Sequence, residues 1–242
     1  MNSLLITIPT YKRYTKLTRL LNSLKQSTYQ NFDILVVADG NDTTSLTTAM
    51  TVCEGWKRVH SQLQLEQSHV VMAINDGIDF FVNLGHYTHF LMLCDDTEVY
   101  PSTLEIALKD HNEQFPDMDG VIGLHQECPN HPEYTFKYYG QMVLGSKWIE
   151  RYKEVGYRVA CPQYVWGYQD QELWEFAISL DRFHSCKDAV IKHYHPAFIR
   201  EEMDDTHNIV RFKQDSPKPK DDKVFAERQK RGLIWGKTWE VV

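Results

Sequence analysis

Strand-length apolar runs alternate with helical patterns through the first half of the chain. "LLITI" (Leu4–Ile8) predicts a strand. Leu17, Leu20, Leu21 and Leu24 then recur at i, i+3, i+4 and i+7, one face of a helix. "FDILVVA" (Phe32–Ala38) predicts a second strand, and "VVMAINDGIDFFV" (Val70–Val82) places Ala73, Gly77, Ile78 and Phe81 at helical spacing. "HFLMLC" (His89–Cys94) predicts the next strand. It shows no polar alternation, as expected of a strand buried on both faces of a parallel sheet. Such alternation of strand and helix argues an α/β sheet with helices packed on it.

The second half is less regular. "STLEIALKDHNEQF" predicts a helix opened by a capping box of Ser102 and Glu105. "GVIGLH" (Gly120–His125) and "AVIKHYH" (Ala189–His195) predict strands, and Gln126–Tyr164 is irregular and aromatic-rich. "DQELWEFAISL" predicts a helix with Leu173, Phe176, Ala177 and Leu180 on its apolar face. "KQDSPKPKDDK" (Lys213–Lys223) is charged, holds two prolines and predicts a loop or linker, so residues 1–212 form the main domain. Residues 213–242 then form a C-terminal extension whose apolar residues dock on the body.

Composition narrows the function classes. A net charge of −7 argues against broad, nonspecific nucleic-acid binding. An acidic protein that handles a phosphorylated ligand needs a metal ion or a few placed cations. No apolar run approaches the length of a membrane span. The opening "MNSLLITIPTYKRY" has a short apolar run and no basic region before it, unlike a signal peptide. Five cysteines without paired spacing read as reduced thiols, and the expected location is cytoplasmic. "CPNH" (Cys128–His131), even with His125 nearby, falls short of the four ligands of a zinc site. No glycine-rich phosphate loop is present.

Ligands of open α/β sheets bind beyond the carboxyl ends of the strands. Pro9, Thr10 and Tyr11 follow the first strand, Asp39, Gly40, Asn41 and Asp42 the second, and Asp95 and Asp96 the third. Adjacent carboxylates repel unless a cation sits near them. Asp95–Asp96 therefore reads either as a site for Mn²⁺ or Mg²⁺ bridging to a diphosphate, or as a solvated turn. Asp39 reads either as turn chemistry or as an acceptor for a nucleobase or ribose. His193 and His195 sit at strand spacing, and either could join a metal site.

"ITIPTYKR", "LLNSLKQSTYQNFDILVVADGND", "AINDGIDFF" and "FLMLCDDTEVYPSTL" together resemble a family-2-type glycosyltransferase of the GT-A fold in order and spacing. That resemblance implies an open mixed sheet flanked by helices that binds a nucleotide sugar. It implies that Pro9, Thr10 and Tyr11 line the nucleotide pocket, that Asp39 holds the base and that Asn75 stands beside the nucleotide. It also implies Asp96 as the metal carboxylate, Asp95 nearer the donor ribose or sugar, and His195 as a further metal ligand. Thr97 stands where a second metal-motif acid is common, Ala38 replaces the first Asp of the Asp-Asp turn, and Ile74 replaces a basic residue. Arg13 or Lys12 is the expected substitute cation for the diphosphate. "VWGYQDQELWEF" resembles the family's Glu-Asp-x-Glu-Leu element, with Gln169 in place of the Glu. Asp170 then matches the general base of inverting members, and Glu172 falls beside it or on the helix surface.

The expected activity is metal-dependent transfer of a sugar, with inversion, from a UDP-linked donor to an acceptor hydroxyl. The acceptor stays open among a glycan, a lipid-linked sugar, a protein and a modified nucleic-acid base. A noncatalytic nucleotide- or sugar-binding module and a nucleotidyltransferase are the rival readings. Arg228, Lys230, Arg231 and Lys237, with Trp235 and Trp239, either contact a phosphate-bearing acceptor or belong to a docked helix with a solvated face.

Overall fold

A computed structural model describes residues 3–129, 140–195, 204, 206, 208 and 216–242 of the chain. Strand β1 (Leu4–Thr10) leads through helix α1 (Tyr14–Lys25) to β2 (Phe32–Ala38), then α2 (Thr43–Val52), β3 (Val59–Leu63) and α3 (His69–Leu84). Next come β4 (His89–Met92), β5 (Thr97–Val99), α4 (Thr103–Gln114), β6 (Val121–Glu127), β7 (Met142–Gly145) and α5 (Ser146–Glu150). Helix α6 (Gln169–Ser179), strand β8 (Phe183–His193) and helix α7 (Pro217–Lys230) complete the described elements. The strands form one mixed sheet in the order β3-β2-β1-β4-β7-β6-β8-β5.

The apolar strands read from the sequence are central because both sheet faces are covered. Leu4, Ile6 and Ile8 point into a core closed by Leu17, Leu20, Leu21 and Leu24 of α1 and by Leu104 and Leu108 of α4. Leu5, Leu35 and Val37 point the opposite way, against Val71, Ile78 and Phe81 of α3 and Phe176 of α6. Parallel pairing of β1 with β2 and with β4, in the registers Thr10↔Ala38 and Thr7↔Met92, brings three carboxyl ends to one edge of the sheet.

Helix α3 lies unusually close to β1 because of Gly77. A Cβ there would fall 2.3 Å from Thr7 Oγ1 and 2.8 Å from its Cγ2, and Thr7 is fully buried. Overpacking costs about 1–3 kcal/mol, against about 1 kcal/mol that Ala gains over Gly in a helix. Gly77→Ala is therefore expected to lower stability, seen as a lower denaturant midpoint at unchanged m. A midpoint at or above the parent's would show that α3 can lift off β1 without cost.

Three expectations are corrected. Ser102 makes no side-chain cap at α4. Thr103 Oγ1 accepts from the Tyr100 amide instead, and Glu105 takes a hydrogen bond from Thr28. Leu180 is 40% exposed at the end of α6, so the buried face of that helix stops at Phe176 and Ala177. "SPKPKDDK" opens helix α7 rather than a linker: Pro217 sits in its first turn, where a missing N–H costs nothing. Residues 213–215 and His131 lie outside the described residues.

Helix α7 is tied to the body by a buried ion pair. Glu172 accepts from Arg228 Nε at 2.7 Å and Nη2 at 3.0 Å, from the Tyr164 hydroxyl at 2.6 Å and from the Trp235 amide at 2.6 Å. Arg228 is completely buried, and its Nη1 donates to Gln163 and to the Glu240 carbonyl. Buried charges persist where their remaining hydrogen-bonding capacity is filled in this way. Arg228 thus faces inward, not toward a phosphate-bearing acceptor, and Glu172 is a core residue. No helix among the described residues is long and apolar enough to cross a membrane.

Candidate active site

The carboxyl ends of β1, β2 and β4 open onto a cavity of about 630 Å³, lined there by Pro9, Thr10, Tyr11, Arg13, Asp39, Asp95 and Asp96. Asp170 and Gln171, from the first turn of α6, line the same cavity, as do His193 and His195. The geometry brings together most of the residues singled out from the sequence.

Asp95 and Asp96 form the turn between β4 and β5, and their counter-cation is Arg13. Its Nη1 lies 3.0 Å from Asp95 Oδ1 and 3.3 Å from Asp96 Oδ2, while Nε lies 2.9 Å from Asp204. Thr10 Oγ1 donates to Asp95 Oδ2 at 2.9 Å. Burial pushes the Asp95 carboxyl up against the pull of Arg13. Burial also works against the Asp96 carboxylate, but His193 and Arg13 outweigh it and hold that group well below the usual carboxylate range. The cation expected to meet a diphosphate is therefore engaged with three carboxylates.

His193 is placed by sheet register. Antiparallel pairing of β5 with β8 sets Thr97 opposite His193, which brings the imidazole Nε2 within 3.1 Å of Asp96 Oδ1. Gln126 Oε1 contacts Nδ1 and fixes the ring, the usual outer support of a ligating histidine. Asp96 Oδ1 is buried and receives no well-directed hydrogen bond. Ligand atoms of Cys94, Asp96 and His193 lie within 4.8 Å of one another, a grouping that fits a small cation. Cys94 carries no metal-ligand spacing in the sequence and was not legible there. Its thiol accepts from Gln141 at 3.2 Å, and burial pushes its pKa up. His195, the histidine favoured from the sequence, lies at the cavity wall with its ring centroid 5.6 Å from that of His193 and tilted 55° to it.

Asp39 accepts from the amides of Ser68 at 2.7 Å and His69 at 3.1 Å, so the β2 carboxylate also steadies the start of α3. Gly40 and Asn41 take left-handed backbone, and Asp42 caps α2 through the Ser45 amide. The same Asp42 accepts the Lys12 amide at 2.6 Å, binding the β1 and β2 turns together. Asn75 is fully buried. Its amide donates to the Ala160 carbonyl at 2.9 Å and accepts from the Ala160 N–H at 3.1 Å, so it braces that backbone and is not among the residues that line the cavity. Ile74, where a basic residue is common, is buried and apolar.

Asp170 accepts from the Gln171 amide at 3.0 Å and has no cation in an ion pair with it among the described residues. Behind it lies a small apolar pocket walled by Ile74, Phe90, Met92, Leu144 and Leu173. Desolvation there pushes the carboxyl up from its ordinary value. A carboxylate with a raised pKa is a stronger proton acceptor. Trp174, His69 and Lys218 also reach this cavity, and none was placed there by the sequence; Trp166 and Tyr168, aromatics that read either as stacking groups for a sugar or base or as core, line it too.

The family model of glycosyl transferase family 2 matches residues 5–206. Among solved structures, S. aureus TarS residues 1–349 aligns with a TM-score of 0.63 at 16% identity, over 79% of this chain and 60% of that one. The same fragment in complex with UDP-GlcNAc gives 0.61 at 16% identity, over 83% and 60%. The mannosyltransferase PcManGT of Pyrobaculum calidifontis, in complex with GDP-Man and Mn²⁺, gives 0.63 at 12% identity, over 82% and 57%. The chain thus spans about 60% of the length of these structures. The mixed sheet is that of the GT-A fold they share. No curated protein matches the chain in sequence.

Proposed function

Because the chain belongs to glycosyl transferase family 2, we propose that it moves a sugar from a UDP-linked donor to an acceptor hydroxyl with inversion at the anomeric carbon. What supports this reading is one cavity that joins the carboxyl ends of β1, β2 and β4, the Cys94, Asp96 and His193 grouping, and the carboxylate of Asp170, which has no ion-pair cation among the described residues. UDP-GlcNAc on the TarS fragment supports the choice of UDP, and GDP-Man on PcManGT names the competing nucleotide.

Charge argues for a divalent ion. Asp39, Asp95, Asp96 and Asp170 line the cavity against the permanent cations Arg13 and Lys218, so a diphosphate entering alone meets a net negative surface. Asp96 and His193 are the residues that would hold the ion, with Cys94 and His195 beside them. An imidazole in the set favours Mn²⁺ over Mg²⁺. When bound, the ion supplies charge neutralisation on the leaving diphosphate.

The remaining roles fall to this chain's side chains. Asp39 retains free lone pairs toward the cavity and accepts from the base, while Pro9, Thr10 and Tyr11 shape its slot. Asp170 takes the proton of the acceptor hydroxyl as that oxygen attacks the anomeric carbon on the face opposite the leaving group. The cysteines among the described residues are free thiols, four of the five buried, which supports a cytoplasmic setting.

The test is thermal stability with UDP-GlcNAc, other UDP-sugars and GDP-Man, each with Mn²⁺ or with chelator. A ligand that binds only the folded state at 100 times its Kd stabilises by about 2.7 kcal/mol. A UDP-sugar is expected to raise the melting temperature in Mn²⁺ and not in chelator. If no nucleotide shifts it under either condition, the proposal is lost.

A further inference from the structure

Helix α7 lies outside the family match, yet one of its faces builds part of the cavity. Lys218, Asp221, Asp222 and Phe225 fall at i, i+3, i+4 and i+7, and all four meet the loop of residues 165–168 or its partners. Asp221 is 1% exposed. Its Oδ1 accepts from the Val165 amide at 3.0 Å, and its Oδ2 accepts from the amides of Trp166 and Gly167, each at 2.8 Å. Three successive N–H groups aimed at one point form an anion-binding concavity, and here the anion belongs to the protein itself. Asp222 accepts from the Tyr168 hydroxyl at 2.5 Å and from Lys218 Nζ at 2.6 Å. The Tyr168 ring stacks flat on Phe225, with centroids 4.2 Å apart and planes 6° off parallel. Tyr168 itself holds a left-handed backbone, with φ of 66°, at the N-cap of α6.

The loop so held is the one that presents Trp166 and Tyr168 to the cavity and delivers the chain to Asp170 two residues later. Left-handed backbone at a tyrosine persists only where its surroundings over-determine it, and α7 supplies those surroundings. We infer that α7 is a positioning element of the active site and that Asp221 is its key residue: the carboxylate sets the 165–168 loop and thereby aims Asp170 at the acceptor. The catalytic part of this inference rests on the glycosyl-transfer reading, whereas the hold of α7 on the loop does not.

Asp221→Asn tests both parts. Its amide nitrogen would face one of the N–H groups, donor against donor. Three measurements are made on the full chain: hydrogen exchange of the 165–167 amides, UDP affinity in Mn²⁺, and turnover of the nucleotide sugar that stabilises the parent. Exchange at 165–167 is expected to accelerate at least tenfold while β1 and β4 keep their protection. UDP affinity and the donor KM should stay within twofold, and kcat should fall at least tenfold. Should the variant fail to fold, Asp222→Asn, at a partly exposed position, carries the same test with a smaller expected fall in kcat. Unchanged exchange at 165–167 overturns the inference. So does accelerated exchange with parental kcat, or a loss of UDP affinity that matches the loss of kcat. A parent with no turnover of any nucleotide sugar refutes glycosyl transfer instead, and the exchange arm still decides whether α7 holds the loop.

Discussion

Asp96→Ala abolishes the difference between Mn²⁺ and chelator in nucleotide-sugar binding. Asp96 is the centre of the cation-ligand group, reached by His193 at 3.1 Å and by Arg13 at 3.3 Å. Without it His193 faces Cys94 across a gap, and one imidazole with a half-buried thiol whose pKa burial raises is a poor partner for Mn²⁺. Losing an outer-shell partner of a ligand already costs about 10- to 100-fold in metal affinity, so losing the ligand itself should cost at least about 100-fold. Asp96 also neutralises Arg13, and its removal leaves the guanidinium with Asp95 and Asp204. Asp96→Asn keeps the shape and removes the charge, so it separates ligation from packing. Calorimetric titration of UDP in Mn²⁺ and in chelator reads the result. Retention of a metal-dependent Kd in both variants would move the ion site elsewhere.

Asp170→Asn is expected to bind donor as the parent does and to lose about 10²- to 10⁴-fold in transfer, the range for one general base. Its stability should move the other way. The Asp170 carboxyl is raised in the fold by burial against an apolar wall, so between the unfolded value near ~3.9 and the folded value the unfolded chain has already released the proton. Proton binding is then greater in the native state, stability falls as pH rises through that window, and the cost persists at neutral pH. The amide carries no such cost, and Asp170→Asn should melt at or above the parent's temperature at pH 7. For the parent, activity should fall on the acid side at a pH above the ordinary carboxylate range. An acid limb that survives unchanged in Asp170→Asn would assign it to another group.

The sequence revealed the parts of the fold that are buried on both faces. β1, β2 and β4 are continuous apolar runs because helices cover either side of them, and the leucine ladder of α1 has one core to meet. Strand β3, "VHSQL", is an edge strand only partly buried, so its polar residues erase the signal. Helix α2, "TTSLTTAMTV", is rich in β-branched residues and is set by the Asp42 cap more than by any apolar stripe. In the site, residues at strand ends were legible because position along a strand fixes which edge they occupy. Asp221 was not: in "PKPKDDK" it looks like a solvated charge, and only the packing of α7 converts it into the acceptor for three amides. The sequence left Arg13 and Lys12 as alternative cations, and the place of Arg13 beside Asp95 and Asp96 needed the fold to show it.

The pairing of β5 has a temporal meaning. Three residues, Thr97–Val99, follow the Asp95–Asp96 turn and bond laterally to β8, where Thr97 meets His193 from far along the chain, with α4, β6, β7 and α6 in between. The nucleotide edge of β1, β2 and β4 exists once the ribosome has passed β4, but Asp96 acquires its imidazole only when residue 193 has emerged. Contacts of such sequence separation are entropically costly and form late. A nascent chain can therefore fold the edge built by β1, β2 and β4 first, and the grouping of Cys94, Asp96 and His193 closes only after the last of these residues has left the ribosome.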